Sequence, residues 1–231
     1  WLVVFNGRVV ANNYDSVADL IDVGGKVAFV AAAEGKRFAF FDGIELGKEY
    51  DSVDDVASIG TRLAFTAQAR NKKWLVIFDG SQQADEYDYV ADLTDVANKP
   101  AFSARKNETV LVVFDGKELG KQYDAVDFVT DIDGKLAFSA LRSGKRFIVL
   151  DLQERASGKE YDDILEIVDV AGKPAFIAQL VGKRFVVFGS EELGRQYESV
   201  ADLVAVGDKP AFIALYNVKV FVVQNGHELG G

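Results

Sequence analysis

Carboxylates are the one dense source of polar chemistry in this chain, and they recur at fixed distances from a repeated tyrosine. Tyrosine is followed by an acid at Tyr14-Asp15, Tyr50-Asp51, Tyr87-Asp88, Tyr123-Asp124, Tyr161-Asp162 and Tyr197-Glu198. Five residues after each tyrosine stand Asp19, Asp55, Asp92, Phe128, Glu166 and Asp202, and three positions later Asp22, Ser58, Asp95, Asp131, Asp169 and Ala205. Oxygen donors gathered around one point suit Ca²⁺ or another hard cation. Like charges crowded together also raise carboxyl pKa values, the usual precondition for acid–base work. Asp19, Asp55, Asp92, Glu166 and Asp202 are therefore the candidate metal positions, with Ca²⁺ as the only cofactor they suggest.

A structural role competes with that reading. An Asp at a repeated turn accepts hydrogen bonds from backbone N–H groups and fixes the path of the chain. Recurrence favours this role, because a catalytic site needs one copy that departs from the rest, and the departures at Phe128, Ser58 and Ala205 only remove charge. The tyrosines divide in the same way: they have the faces to stack on sugar rings, but a residue present in every copy is expected to pack between units and anchor its hydroxyl to a neighbouring loop.

Other chemistries are scarce. The only histidine, His227, lies outside the repeats, which argues against a Ser-His-Asp relay or a multi-histidine metal site. Cysteine is absent, which removes disulfides and thiolate chemistry. With 26 basic and 36 acidic residues the net charge is −10, unsuited to a nucleic-acid backbone. No run of about twenty apolar residues offers a membrane span. Methionine is also absent, even at position 1, as a cleaved signal peptide, a trimmed tag or an excised domain would explain. A bacterial envelope or secreted location is expected in preference to the cytoplasm.

The elements that must position these residues repeat as well. Fifteen residues after each tyrosine comes the Phe of an Ala-Phe pair, at Phe29, Phe65, Phe102, Phe138, Phe176 and Phe212. Polar turns such as Gly35-Lys36-Arg37 follow, then an apolar run, then Asp42-Gly43, Asp79-Gly80, Asp115-Gly116 or Asn225-Gly226, dipeptides that favour tight hairpins. Each unit of roughly 37 residues reads as four short strands: an Asp-rich strand, the Ala-Phe strand, an apolar strand, and a segment entering Tyr-acid. The apolar strand has no polar face, so each sheet needs a neighbour on both sides, which radial stacking provides. The expectation is one all-β domain over residues 1–231, a six-bladed β-propeller of four-stranded antiparallel blades. The ends are out of phase with the units, which predicts closure by pairing of the N- and C-terminal strands, Arg8 to Asp15 serving as the outer strand of the last blade. One apolar strand, Trp1 to Phe5 or Phe221 to Gln224, is then surplus and a route to a homo-oligomer.

Stretches such as Val113-Phe114-Asp115-Gly116 leading to Tyr123-Asp124, and Phe185 to Phe188 leading to Glu192-Leu193-Gly194-Arg195-Gln196-Tyr197, resemble the repeats of bacterial WD-repeat-like and TolB-like β-propeller proteins. The resemblance covers all six units and implies the propeller fold and a docking role; it brings no catalytic residues. The expected function is a non-catalytic scaffold presenting a rim or channel mouth to a protein, peptide or glycan. The alternative is a calcium-assisted propeller hydrolase or lyase with a carboxylate site in the channel.

Overall fold

Alternating apolar and polar residues, β-branched and aromatic side chains, and a turn signal at every strand end dictate short antiparallel strands. The computed structural model describes residues 1–119 and 121–229, and among these every regular element is a strand. The chain opens with a hairpin of Leu2–Phe5 and Arg8–Asn12. Six four-stranded sheets follow, each a meander in chain order.

The first sheet is Ser16–Val23, Lys26–Ala33, Lys36–Phe41 and Ile44–Leu46. The second is Ser52–Ile59, Arg62–Gln68, Trp74–Phe78 and Ser81–Tyr87. The third is Tyr89–Val96, Lys99–Lys106, Thr109–Phe114 and Lys117–Glu118. The fourth is Ala125–Ile132, Lys135–Arg142, Lys145–Leu150 and Gln153–Glu154. The fifth is Asp163–Val170, Lys173–Leu180, Lys183–Phe188 and Glu191–Tyr197. The sixth is Ser199–Val206, Lys209–Tyr216, Lys219–Gln224 and His227–Leu229. The four-strand unit thus takes the expected order. Two compact units divide the chain, Trp1–Gln122 and Tyr123–Gly231.

The expected closure by the terminal strands does not occur among the described residues. Leu2–Phe5 pairs with Arg8–Asn12, and the sixth sheet draws all four strands from residues 199–229. The reason is local: Asn6 and Gly7 both adopt positive φ, 49° and 73°, the two left-handed residues of a tight hairpin, so the first strand folds back on the second. Neither Leu2–Phe5 nor Lys219–Gln224 is surplus, since each has a partner within its own sheet. The sheets number six of four strands and one of two.

Within each unit successive sheets pack face to face. In the first unit Val23, Ala28, Val30 and Ala39 of the first sheet meet Val53, Phe65, Leu75 and Ile77 of the second. In the second unit Val170, Ile177 and Val186 of the fifth sheet meet Leu203, Phe212 and Val223 of the sixth. The Ala-Phe pattern fits this arrangement: the small Ala and the large Phe point to opposite faces, and all six Phe rings are buried.

Turn chemistry is less uniform than the Asp-Gly signals imply. The second-to-third strand turns place Val181 at φ 49° and Val218 at φ 64°, and these side chains are 85% and 91% exposed. A β-branched residue in the left-handed region clashes with its own backbone and gains nothing here from burial. Val181→Asn and Val218→Gly are each expected to stabilise the fold by about 1 kcal/mol through relief of this strain, seen as a higher denaturation midpoint at unchanged m-value. Unchanged midpoints in both variants would contradict the strain assigned to these turns.

Candidate functional site

The repeated acids sit where the backbone needs them. In every sheet the first strand loses register with the second at one place, for example between Ala18 and Ile21, Ala91 and Thr94, or Ala201 and Val204. Asp19, Asp92, Phe128 and Asp202 occupy this bulge with φ of 54°, 55°, 59° and 52°. A short polar side chain tolerates that region far better than a bulky one, which accounts for an acid in most copies. No sequence signal marks this bulge except the recurrence of Asp itself.

The five candidate metal positions are placed as follows. Asp19 and Asp55 share a concavity of about 270 Å³ with Arg37, Asp54 and Thr66. The Asp55 carboxyl is pushed upward, first by desolvation in that concavity, then by Asp19 and Asp54, with Arg37 opposing. Arg37 itself pairs with Asp54 at 2.6 Å. Asp92 accepts a hydrogen bond from Ser103 Oγ at 3.1 Å. Glu166 accepts one from the Leu203 N–H of the next sheet at 3.4 Å, and Asp202 is exposed. Among the described residues no group of three or more acids or histidines is assembled that would hold a metal ion. Only Asp19 and Asp55 come together, and an arginine stands with them.

The second acidic set caps turns. Asp22, Asp131 and Asp169 accept the N–H groups of Gly25, Gly134 and Gly172 at 3.1, 2.8 and 2.8 Å. Two of the set also reach the preceding sheet: Asp95 accepts Gly60 N–H at 2.8 Å and Asp169 accepts Asp133 N–H at 3.2 Å.

The Tyr-acid pair is a double clamp. The acid accepts an N–H from the turn between the second and third strands, as Asp88 does from Asn107 (2.6 Å), Asp124 from Ser143 (2.9 Å) and Asp162 from Val181 (2.7 Å). The tyrosine ring meets the repeat Phe edge-on, with centroids 5.5 to 6.1 Å apart in five units. In four units its hydroxyl goes to a fourth-strand glutamate, Tyr14 to Glu45, Tyr87 to Glu118, Tyr123 to Glu154 and Tyr197 to Glu228, at 2.8 to 3.3 Å, and in a fifth the Tyr161 hydroxyl meets Ser157 Oγ of a neighbouring turn at 3.5 Å.

Tyr50 departs from this pattern. The residue that pairs with Ile77 where other sheets place the glutamate is Gln82, whose amide turns instead to the Ala84 carbonyl at 3.2 Å. Among the described residues the Tyr50 hydroxyl has no hydrogen-bond partner and its ring has no edge-on contact with Phe65. The fourth strand before it, Ile44–Leu46, is followed by Gly47 at φ 79°. A groove of about 650 Å³ opens there between the first and second sheets. Its apolar wall includes Phe41, Leu46, Tyr50, Phe65 and Ile77, and its polar rim Lys26, Glu49, Arg62 and Asp79. Arg62 lies over the Phe78 ring at 4.2 Å and within 3.5 Å of Asp79. Smaller grooves lie at related positions, about 290 Å³ beside the N-terminal hairpin and 400 Å³ between the fourth and fifth sheets. The one-residue offset that turns a glutamate into Gln82 is visible in the sequence only once the strands are in register.

No family model matches the chain, and no curated protein matches it. Solved structures similar to it include the β-propeller domain of the Trilobed protease from Pyrococcus furiosus, at 10% identity over 94% of this chain and 82% of that one, TM-score 0.49. The Pyrococcus horikoshii acylaminoacyl peptidase is similar at 12% identity over 94% of this chain and 46% of that one, TM-score 0.48. BBS1N, solved in complex with ARL6DN, is similar at 8% identity over 87% of this chain and 75% of that one, TM-score 0.41. At such identities none of them assigns a role to a residue here.

Two tests follow from the clamps. Asp169→Asn weakens acceptance of two N–H groups and is expected to lower stability by about 1 to 2 kcal/mol, while calorimetric titration of calcium into the wild-type protein gives no micromolar binding. Micromolar binding that this variant and Asp92→Asn both abolish, with the fold intact, would return the acids to a metal site. At the alkaline end, desolvation first and the paired glutamate second raise Tyr14 from 10.0 to about 12, and desolvation first, then Glu154, raises Tyr123 from 10.0 to about 12. A raised tyrosine favours the neutral folded form, so its stability contribution is complete below 10.0 and is lost as pH climbs toward about 12. Thermal midpoints measured across that window should fall less steeply for Tyr14→Phe; an identical slope would contradict the clamp.

Proposed function

We propose that this chain is a non-catalytic recognition module of the β-propeller type. The four-stranded sheets serve as blades, and the N-terminal hairpin is the third and fourth strands of a seventh. Its binding site is the groove between the first and second sheets, and its ligand is an apolar side chain of a protein or peptide flanked by charged groups. The groove carries this reading. At about 650 Å³ it has the size of a small-ligand site, with an apolar wall and a few polar groups at its mouth. It is also the asymmetry a functional site requires, since among the described residues it opens at the one repeat tyrosine whose hydroxyl has no hydrogen-bond partner, where four others keep a glutamate and Tyr161 a serine. Lys26, pairing with Asp42 at 2.6 Å, and Arg62 with Asp79 would orient the charged flanks of such a peptide. The carboxylates at the bulges and turns have structural duties in this reading and take no part in a reaction.

Selection from a random peptide library followed by calorimetry tests it. Recovered peptides should share an apolar anchor with charged neighbours. Ile77→Phe, which places at this register the side chain that Phe40 supplies in the first sheet, should fill the groove. The expected result is about tenfold weaker peptide binding, equivalent to ~1.4 kcal/mol, with thermal stability equal to or above wild type. Peptides whose affinity is indifferent to Ile77→Phe would place the binding surface elsewhere.

A further inference from the structure

The clamps on the other tyrosines define what the Tyr50 groove lacks. At Tyr14, Tyr87, Tyr123 and Tyr197 the hydroxyl donates to a glutamate, and each of these glutamates also meets a base. Glu45 pairs with Lys48, Glu118 with Lys106 at 3.1 Å, Glu154 with Arg142 at 2.9 Å and Glu228 with Arg195 at 2.8 Å. Four units therefore hold a carboxylate between a phenol and a cation, an arrangement of charge-assisted hydrogen bonds. In each the glutamate stands opposite the same third-strand position, Phe40, Val113, Val149 or Val223. In the second sheet that position is Ile77 and its partner is the uncharged Gln82, turned to the Ala84 carbonyl.

The shape of the groove agrees. Beside Tyr14 the wedge holds two grooves, one of about 380 Å³ with Tyr14 and Glu45 in its lining and one of about 290 Å³ with Lys26 and Phe40 in its lining. The residues of the second sheet that correspond to Lys26 and Phe40 are Arg62 and Ile77, and they share a single groove of about 650 Å³ with Tyr50. A phenol and a base thus open onto one space with no fourth-strand glutamate between them. Arg62 is the less committed of the two bases there, 3.5 Å from Asp79, whereas Lys26 holds Asp42 at 2.6 Å. Burial first and the Glu49 charge second hold the Tyr50 hydroxyl above its usual range, so it stays protonated and able to donate.

We infer that the peptide bound in this groove carries a glutamate beside its apolar anchor, and that the glutamate carboxylate accepts the Tyr50 hydroxyl and pairs with Arg62. This rests on the groove being the binding site and names the chemistry of its ligand. The ligand supplies from outside the group that four units carry in their own fourth strands. Its source is a side chain and not a chain end, because a mid-strand glutamate reaches its tyrosine while apolar neighbours continue along the backbone, as Ile44 and Leu46 do around Glu45. Glu49 on the same wall repels such a group, which makes Arg62 necessary to the contact.

The probe is a peptide selected from a random library on the whole wild-type chain, compared by calorimetry with the same peptide bearing glutamine for glutamate and with its C-terminus as acid or amide. Replacing the glutamate should weaken binding by about tenfold or more, and amidation should leave it unchanged. Tyr50→Phe and Arg62→Gln should each shrink the preference for glutamate over glutamine. Gln82→Glu, at an exposed position, restores the internal carboxylate; it should raise or preserve the thermal midpoint and weaken the glutamate peptide by about tenfold. Peptides that are sensitive to Ile77→Phe but indifferent to both the glutamine replacement and Gln82→Glu overturn this inference and leave the groove standing as the site. Weakening by amidation in place of the glutamine replacement overturns the side-chain source. If no selected peptide is sensitive to Ile77→Phe, the groove reading fails and this inference fails with it.

Discussion

Every four-stranded sheet in this protein is apolar on both faces, and that constraint governs the rest. An antiparallel sheet that shows one face to water alternates polar and apolar residues along its strands. Here the third strands, such as Leu111-Val112-Val113 and Phe147-Ile148-Val149, bury successive residues on opposite sides. A sheet of this kind is soluble only inside a stack, so the stability of each repeat resides in its contact with the next. The polar clamps act on alignment more than on cohesion. Asp95 and Asp169 each bind a turn of the preceding sheet, and Arg146 reaches from the fourth sheet to Asp163 of the fifth at 2.9 Å. These contacts set how one sheet is rotated upon its neighbour, which non-directional apolar packing leaves free.

In the proposed function, binding and packing meet at Tyr50. Beside Tyr14, which is held by both the repeat Phe and the fourth-strand glutamate, the grooves are smaller, about 380 and 290 Å³. Where Gln82 replaces the glutamate, ring and hydroxyl lose their anchors and the wedge opens into the groove. A repeat protein can open a groove in this way at low structural cost, because one relaxed copy is supported by neighbours on either side. The neighbouring first sheet is well suited to that support: Phe29 and Phe40 stack at 4.6 Å between centroids with Tyr14 edge-on above them.

Much of the fold is legible in the sequence, because its signals are local and repeated. Ala-Phe strands, apolar strands and Asp-Gly turns each carry their own geometry, and the structure places them as spacing predicts. What escapes is the non-local part. Closure of the chain ends depends on whether Asn6-Gly7 returns the first strand to the second or releases it to another sheet, and the favourable hairpin turn decides this over the phase argument. The bulge at Asp19 and its counterparts is hidden because a residue's φ leaves no mark beyond its tolerance. The groove at Tyr50 depends on a residue missing from a register that is itself shifted by one. The acids, most visible of all in the sequence, hold turns and bulges.

The length of the fourth strands bears on what each sheet offers to a passing chain. The outermost strand of a sheet offers unpaired amides to any passing chain, and proteins blunt such rims by shortening or charging them. Ile44–Leu46, Lys117–Glu118 and Gln153–Glu154 present too few residues to template a cross-β contact. The two long ones, Ser81–Tyr87 and Glu191–Tyr197, break register and carry Asp85 and Glu86, or Glu191, Glu192 and Arg195. The rims of a molecule that is almost wholly β are thereby left with little unpaired backbone for another chain to join.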